Sequence, residues 1–526
     1  TTTEPDRVSG TQTGSRRHAR RSNSTLYGTV VAFIGAGTDQ QASAVTTEIT
    51  VGSGDADAST GNLDVVADSY MWALADLQGV DLGGVLSFGQ YQPTAIVDGA
   101  TRAFVRDGVE LAADTLDVSA GKLGGTDRVI NLAEATSFTV GVSLGVAVQN
   151  LEAVAETRGV VEAFLGAPDA QSGGANPDAE VIVRASEANV SARSDFDAVA
   201  TLEGGAGSLG VTVGLYRPTA IAGGVTRAHA GDGLNLRAEG LDLDADGDVL
   251  ARAETDAITI AGAVNVAGLS PDARTSNVTE AYVGRSNDST EISQITIDIQ
   301  NVAGTARGDV TVDAVGRSEA DASLKGIGAA GIANVAITNS TAVMGGSTRA
   351  YVGPRTDLTA GAVTLNASEA KAIAKAEVEN TGVGGLASVS LLDSTAIAAR
   401  ETAAFVGRGA NVDLGVNRLE ANAVTDTGPS SPLANASIRN LGVGGLASVS
   451  VMGAESRVGE EHPEDSIFLP EGGDLETGDA VVYDNGGGAS IGGLTDGATY
   501  YVIQLGGGDI RLAASQSDAE NGAYID

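Results

Sequence analysis

The chain has no cysteine, three histidines, one tryptophan and only 4% aromatic residues in 526. Without thiols there is no disulfide framework, no cysteine-ligated metal and no thiol nucleophile. His18, His229 and His462 stand far apart in sequence, so no local histidine-based catalytic arrangement is readable. Basic residues are scarce, 31 against 68 acidic ones, which leaves a formal charge of −37. Such a field repels nucleic acid and anionic membrane surfaces and keeps a long particle soluble. No apolar run approaches the roughly 18 residues that would span a bilayer, so no membrane insertion is expected of this segment. Proline occurs at only 11 positions. Intrinsic disorder would suit an acidic, aromatic-poor chain, but 42% of the residues are hydrophobic and they alternate. Thr1 as the first residue, and no evident cap near Asp526, read as a piece of something longer.

What is present is repetition. An alanine, a bulky residue and a branched or small apolar one, usually followed by glycine, return seven times. The bulky positions are Phe33, Phe104, Phe164, His229, Tyr282, Tyr351 and Phe405, spaced 71, 60, 65, 53, 69 and 54 residues apart. Six of the 19 aromatics occupy this one position, which marks His229 as a structural substitute for a ring. The run Gly382–Ser390 recurs unchanged at Gly442–Ser450, and Pro93-Thr94-Ala95-Ile96 returns as Pro218-Thr219-Ala220-Ile221. Internal repeats of this kind indicate a solenoid.

Within the units, apolar and polar residues alternate, as in Val363-Thr364-Leu365-Asn366-Ala367-Ser368. Period two means half-buried strands. The fold class is therefore all-β: a parallel β-helix rod over 27–458, in about seven degenerate units, followed by a small separate β module. A unit of about 62 residues suits three turns of roughly 20, about 20 turns in all. At roughly 4.8 Å per stacked strand that is a rod about 100 Å long. The seven marked residues are expected along one edge. Residues 1–26, with the basic run from Arg16 to Arg21, read as an irregular solvated tail. Residues 459–526 read as an acidic linker, Glu460 to Asp465, and short strands with turns at Asp484-Asn485-Gly486 and Asp496-Gly497.

The Thr-x-Ala-aromatic-Val-Gly mark (Thr101, Thr226, Thr279, Thr348 and Thr402 supply its threonine) with a following Val-x-Leu-x-Ala strand resembles repeats of giant bacterial surface proteins, the filamentous haemagglutinin-like or leukotoxin-like adhesins. Gly478-Asp479-Ala480-Val481-Val482-Tyr483 through Leu494–Ile503 resembles a β repeat of such proteins and of phage tail fibres. The resemblance spans nearly the whole chain through degenerate repeats. It implies a structural or adhesive segment on a bacterial cell surface or in an extracellular filament. Further repeats or other copies would join end to end, and surface or matrix glycans or proteins would be the targets. Two other functions share the fold: a carbohydrate-active β-helix of the polysaccharide lyase or tailspike kind, and a stalk delivering a C-terminal toxin effector.

The chemical candidates are few. Asp242, Asp244, Asp246 and Asp248 fit the first oxygen positions of an EF-hand-like calcium loop with Gly247 sixth, but position 12 is Ala253. The other reading is a strand with Leu241, Leu243 and Ala245 inward and the aspartates toward water. Tyr70, Trp72, Phe88 and Tyr91 form the densest aromatic group, and flat rings on a β surface stack on sugars. Gly384-Gly385 and Gly486-Gly487-Gly488 lack the Gly-Lys-Ser/Thr ending of a phosphate loop. No catalytic residue is assigned, and the chain is expected not to be an enzyme.

Overall fold

The computed structural model describes residues 18–35, 47–51, 61–106, 108–121, 129–166, 181–231, 234–287, 295–300, 306–415, 417–425, 433–458, 467–468, 475, 477–483, 494–495, 497–506, 509–520 and 524–525. The basic pair Arg16-Arg17, the acidic run 460–465, the turn 484–486, Gly487-Gly488 and Asp496 lie outside the described residues.

Almost every described residue is strand, and the strands build three parallel sheets. Sheet A stacks long strands such as Leu86–Arg106, Val146–Leu165, Val211–Ala230 and Ala333–Val352. Sheet B stacks short ones, including Val109–Ala112, Val181–Arg184 and Leu234–Arg237. Sheet C is again long, with Glu187–Ser208, Gly240–Ala261, Asp309–Ala330 and Val363–Gly384. The chain runs along A, turns through B, returns along C, and passes to the next A strand through a two-residue arch such as Gly262-Ala263. In section each coil is flattened, with A and C facing each other.

Strict alternation drives this. In Asp309–Ala330 buried and less buried residues alternate from end to end, so every second side chain enters the space between A and C. Those inward positions are alanine columns: Ala95, Ala155, Ala220, Ala273, Ala342 and Ala396 stack in register on sheet A. Ala73, Ala133, Ala198, Ala251, Ala320 and Ala374 do so on sheet C. Small side chains let two long flat sheets close on each other without leaving holes.

One repeat unit is one coil, not three turns. Phe104 pairs with Phe164, and Phe164 with His229, as direct register neighbours. Sheet A has eight levels along its main path, a stack of about 34 Å at roughly 4.8 Å per level, in place of about 20 turns and about 100 Å. The uneven spacing arises between strands: Val181 follows Leu165 after a long segment, whereas Leu234 follows Ala230 almost at once. The first strand begins at His18, nine residues before the expected start, and pairs with Gly89–Arg106 over its whole length.

The glycine of the mark makes the corner from A to B. Gly284 has φ +97°, and a Cβ there would lie 2.0 Å from Thr356 Oγ1. Its N–H donates to Ala230 O, carrying the ladder around the bend. After the coils comes a separate antiparallel sheet of Ile467–Phe468, Ala480–Val482, Thr499–Gly506 and Asp509–Ala513, with its own core of Tyr500, Val502, Ile510 and Leu512. Among the described residues the sole helix is Gln516–Glu520, and no helix is long and apolar enough to cross a membrane.

Candidate functional site

The most ordered assembly of functional groups in the molecule follows the mark. The seven rings stack face to face, with centroids 5.4, 4.7, 4.9, 4.7, 5.0 and 4.9 Å apart and interplanar angles of 16° or less. Parallel pairing places identical positions one strand spacing apart, which is stacking distance for flat rings. Between the exposed Phe33 at one end and the half-buried Phe405 at the other, the five inner rings are buried. The Tyr351 hydroxyl also accepts from the Asn287 N–H at 3.1 Å.

Beside the rings runs a second column that the repeat marks alone do not reveal. The residue before the alanine alternates in sign over five successive coils, Arg102, Glu162, Arg227, Glu280 and Arg349. On the next coil, where Ala403 holds that place, Glu401 two residues earlier meets Arg349 diagonally. Arg102 Nε donates to Glu162 at 3.0 Å, Arg227 Nε to Glu280 at 3.0 Å, and Arg349 Nη2 to Glu401 at 2.5 Å. The Glu280 side chain is fully enclosed between Arg227 and Arg349. His229 Nε2 lies 3.4 Å from Glu162 Oε1. Burial works to raise the pKa of Glu162, but His229, Arg102 and Arg227 outweigh it and hold the carboxyl at about 2. The signal was present in the sequence as the residue before the alanine in five of the seven marks. It surfaces only when successive units are laid side by side and read for sign.

Asp242, Asp244, Asp246 and Asp248 lie on the straight strand Gly240–Ala261, not in a loop. Leu241, Leu243 and Ala245 are buried beneath them. Alternate residues on a strand stand about 6.6 Å apart, so the four do not fold around one ion as a calcium loop does. Their charge is met diagonally by neighbouring coils: Arg193 Nη2 donates to Asp244 Oδ2 at 2.8 Å, and Arg317 Nη1 pairs with Asp246. Among the described residues no group of three or more histidine, aspartate or glutamate side chains is arranged to hold a metal. The same face does perturb carboxylates. Burial, then the charge of and a hydrogen bond with Asp195, and then Asp248 push Asp197 up to about 7 against the pull of Arg252. Burial also raises Asp313, with Asp244 and Asp242 adding to it and Asn366 opposing.

The four clustered aromatics do not converge. Tyr70 and Trp72 sit two residues apart on the outer face of sheet C and are exposed. Phe88 lies past the arch on the outer face of sheet A, the opposite side of the coil. Tyr91 points inward, 1% exposed, and donates to Asp81 Oδ2 at 2.7 Å. Sequence proximity misleads here because the arch Gly84-Val85 intervenes and reverses the chain.

Another group escaped the sequence altogether. Inside the coil, Arg400 Nε pairs with Glu369 Oε2 at 3.0 Å with both side chains almost wholly enclosed. Arg400 also donates to Asn277 Oδ1 and Gly345 O, and Thr348 Oγ1 donates to Glu369. Glu369 enters the interior at a register shift, where it faces Gly316 and an extra residue separates it from the next pair. Burial raises the pKa of Glu369 and lowers that of Arg400. No motif announces this pair, since it depends on a bulge and on the space left by Gly316 and Gly346. Comparison with protein-family models, with curated proteins and with solved structures finds no match to this chain.

Proposed function

We propose that the chain works by length and surface, as a structural and adhesive segment of a bacterial surface or extracellular filament. The observation that carries this reading is translational regularity: rings and alanine columns repeat from level to level, with alternating charges along five successive levels. A scaffold whose every level is alike suits extension and multivalent contact. The last described coil supports continuation at the end. Met452, in register with the buried Leu392, is 57% exposed, and Ala447–Val458 leaves a strand edge open. An open edge accepts another strand, from further repeats or another copy.

Tyr70 and Trp72 supply the surface on which glycans would stack. Trp72 is the sole tryptophan and is 48% exposed, so its fluorescence reports contact directly. Titration with bacterial and matrix polysaccharides should quench or shift it without release of shorter sugars, and Trp72→Ala together with Tyr70→Ala should abolish retention of the rod on glycan-coated beads. Shortening of the polysaccharide would make the chain an enzyme. Equal retention of the double variant would remove the glycan platform, and failure to bind any cell, matrix protein or glycan would remove the adhesive role.

A further inference from the structure

Toward the arches the coil turns inside out. Away from the arches the interior is mainly apolar, apart from groups such as Arg400 with Glu369 and Ser194 with Thr226, but here the enclosed side chains are polar and bond across coils. Asn265 Nδ2 donates to Thr259 Oγ1 at 2.9 Å and to Asn334 Oδ1 at 2.7 Å. Asn380 Nδ2 donates to Asn440 Oδ1 at 2.8 Å, and Thr139 Oγ1 to Gln149 Oε1 at 3.0 Å. The exterior is the complement. Leu82, Val142, Ile260 and Val383 are exposed on sheet C, and Leu144, Leu209, Ile332 and Leu386 at the arch tips. On sheet A a single column reads Val148, Val213, Val266, Val335, Val389, Val449, headed by Phe88.

No charged side chain faces outward in these columns, although the chain carries 68 acidic residues. The boundary is sharp: on sheet C the row beside Ile260 is still uncharged, with Gly205, Ile258, Ile327 and Thr381, and the outward row after it reads Glu203, Asp256, Lys325, Glu379. The arches make no demand on water either, because their amides bond from coil to coil, Leu386 N to Ile332 O and Ile332 N to Ala263 O. Two rows flank the valine column, Leu86 to Ala447 and Gln90 to Val451, apolar or glycine apart from Gln90 and Asn150. The three columns, about 6.6 Å apart over seven levels at roughly 4.8 Å, make a sheet A face on the order of 700 Å². The largest apolar patch on an ordinary monomer is about 300–600 Å², and a stable interface takes about 800 Å² from each partner.

We propose that this face is a lateral self-association surface, on which two copies of the rod lie side by side with their sheet A valine ladders interdigitated. Shape decides for a second copy. Identical β-branched side chains repeated at one strand spacing leave grooves of that same period, which another such ladder fills along its whole length, as in a dry steric zipper. A lipid surface would instead call for a belt of tyrosine and tryptophan at the polar boundary, and on sheet A the boundary row holds Glu152, Arg217 and Asp393. The association is independent of the adhesive reading. It also has a salt signature: two acidic rods repel, and screening relieves that, so added salt should tighten the pair.

Sedimentation equilibrium on the whole chain tests this. The wild type should be a dimer at micromolar concentration, with a dissociation constant that falls as sodium chloride rises. Val266→Glu with Val335→Glu should weaken the dimer at least a hundredfold while keeping the β-sheet circular dichroism. Val266→Thr with Val335→Thr, which preserves shape and strand preference, should weaken it about tenfold, and it stands in should the glutamate variant not fold. Ile258→Glu with Ile327→Glu on the opposite sheet should leave it dimeric. A monomer at all concentrations and salts overturns the proposal. So does a dimer indifferent to the sheet A substitutions, a dimer lost equally on substituting sheet C, or a monomer that floats with phosphatidylcholine vesicles.

Discussion

At the scale of single residues, position in the stack decides what a side chain contributes. Tyr282 is 2% exposed and lies between His229 and Tyr351, whereas Phe33 is 48% exposed with one ring neighbour. Removing a buried ring costs about 3–5 kcal/mol, so Tyr282→Ala should lower the urea midpoint severely, and Phe33→Ala should cost under about 1.5 kcal/mol. Asp197 behaves differently because its charge is the liability. Its folded pKa of about 7 lies above the ordinary 3.8, so the native state keeps a proton that the unfolded chain releases. The stability this confers is complete below the unfolded value and is lost as pH rises through 7. Asp197→Asn should therefore match the wild type in thermal scans at pH 4 and melt higher at pH 8, by on the order of 1–2 kcal/mol. Neither outcome was readable from the sequence. Burial of Tyr91 and exposure of Trp72 follow from the phase of the alternation in each strand, Met71 beside Trp72 being buried in its turn, and composition does not register that phase.

At the scale of strands and their register, the alternation and the mark were legible, and the length of a coil was not. Strands of about 20 residues carry glycines that read as breaks, yet Gly99, Gly159 and Gly224 sit inside continuous sheet A strands. A Cβ at Gly224 would approach the Phe196 ring at 2.6 Å, so this glycine makes room for a ring from sheet C instead of turning the chain. The bulge at Glu369 was equally silent, because its sense lies in Arg400, in the two-residue break between Ala387–Ala398 and Glu401–Val406. Breaking a buried ion pair by removing one partner costs about 3–5 kcal/mol, while replacing both by apolar residues is often close to neutral. Arg400→Leu should therefore destabilise strongly, and Glu369→Met combined with Arg400→Leu should recover most of the loss. Urea titrations of the two singles and the double give the coupling directly. Additive losses would mean that the pair does not act as one unit.

At the scale of the whole molecule, stability in a stack comes from nearest-neighbour contacts between coils, so coils can be excised if the faces that then meet agree. Alanine columns and rings agree at any cut. The charged column does not, because its sign alternates with a period of two coils. Deleting residues 265–333 joins Val264 to Asn334 in register, since Asn265 pairs with Asn334. It also sets Arg227 directly against Arg349, with Glu280 gone. Deleting residues 212–333 removes two coils, joins Val211 to Asn334 through the same register position, and brings Glu162 against Arg349. The shorter protein should then be the more stable one, against the ordinary expectation that fewer coils bury less surface. Like charges stacked in a half-buried column are destabilising, and Arg227 there loses its hydrogen-bonded partner Glu280 and gains a second guanidinium in its place. Thermal melts of the two deletions should rank the two-coil excision above the one-coil excision. Arg349→Glu with Glu401→Arg, introduced into the one-coil deletion, should restore it by returning the alternation. Equal melting of both deletions, or no rescue by the reversal, would show that the column merely decorates the stack and does not set its parity.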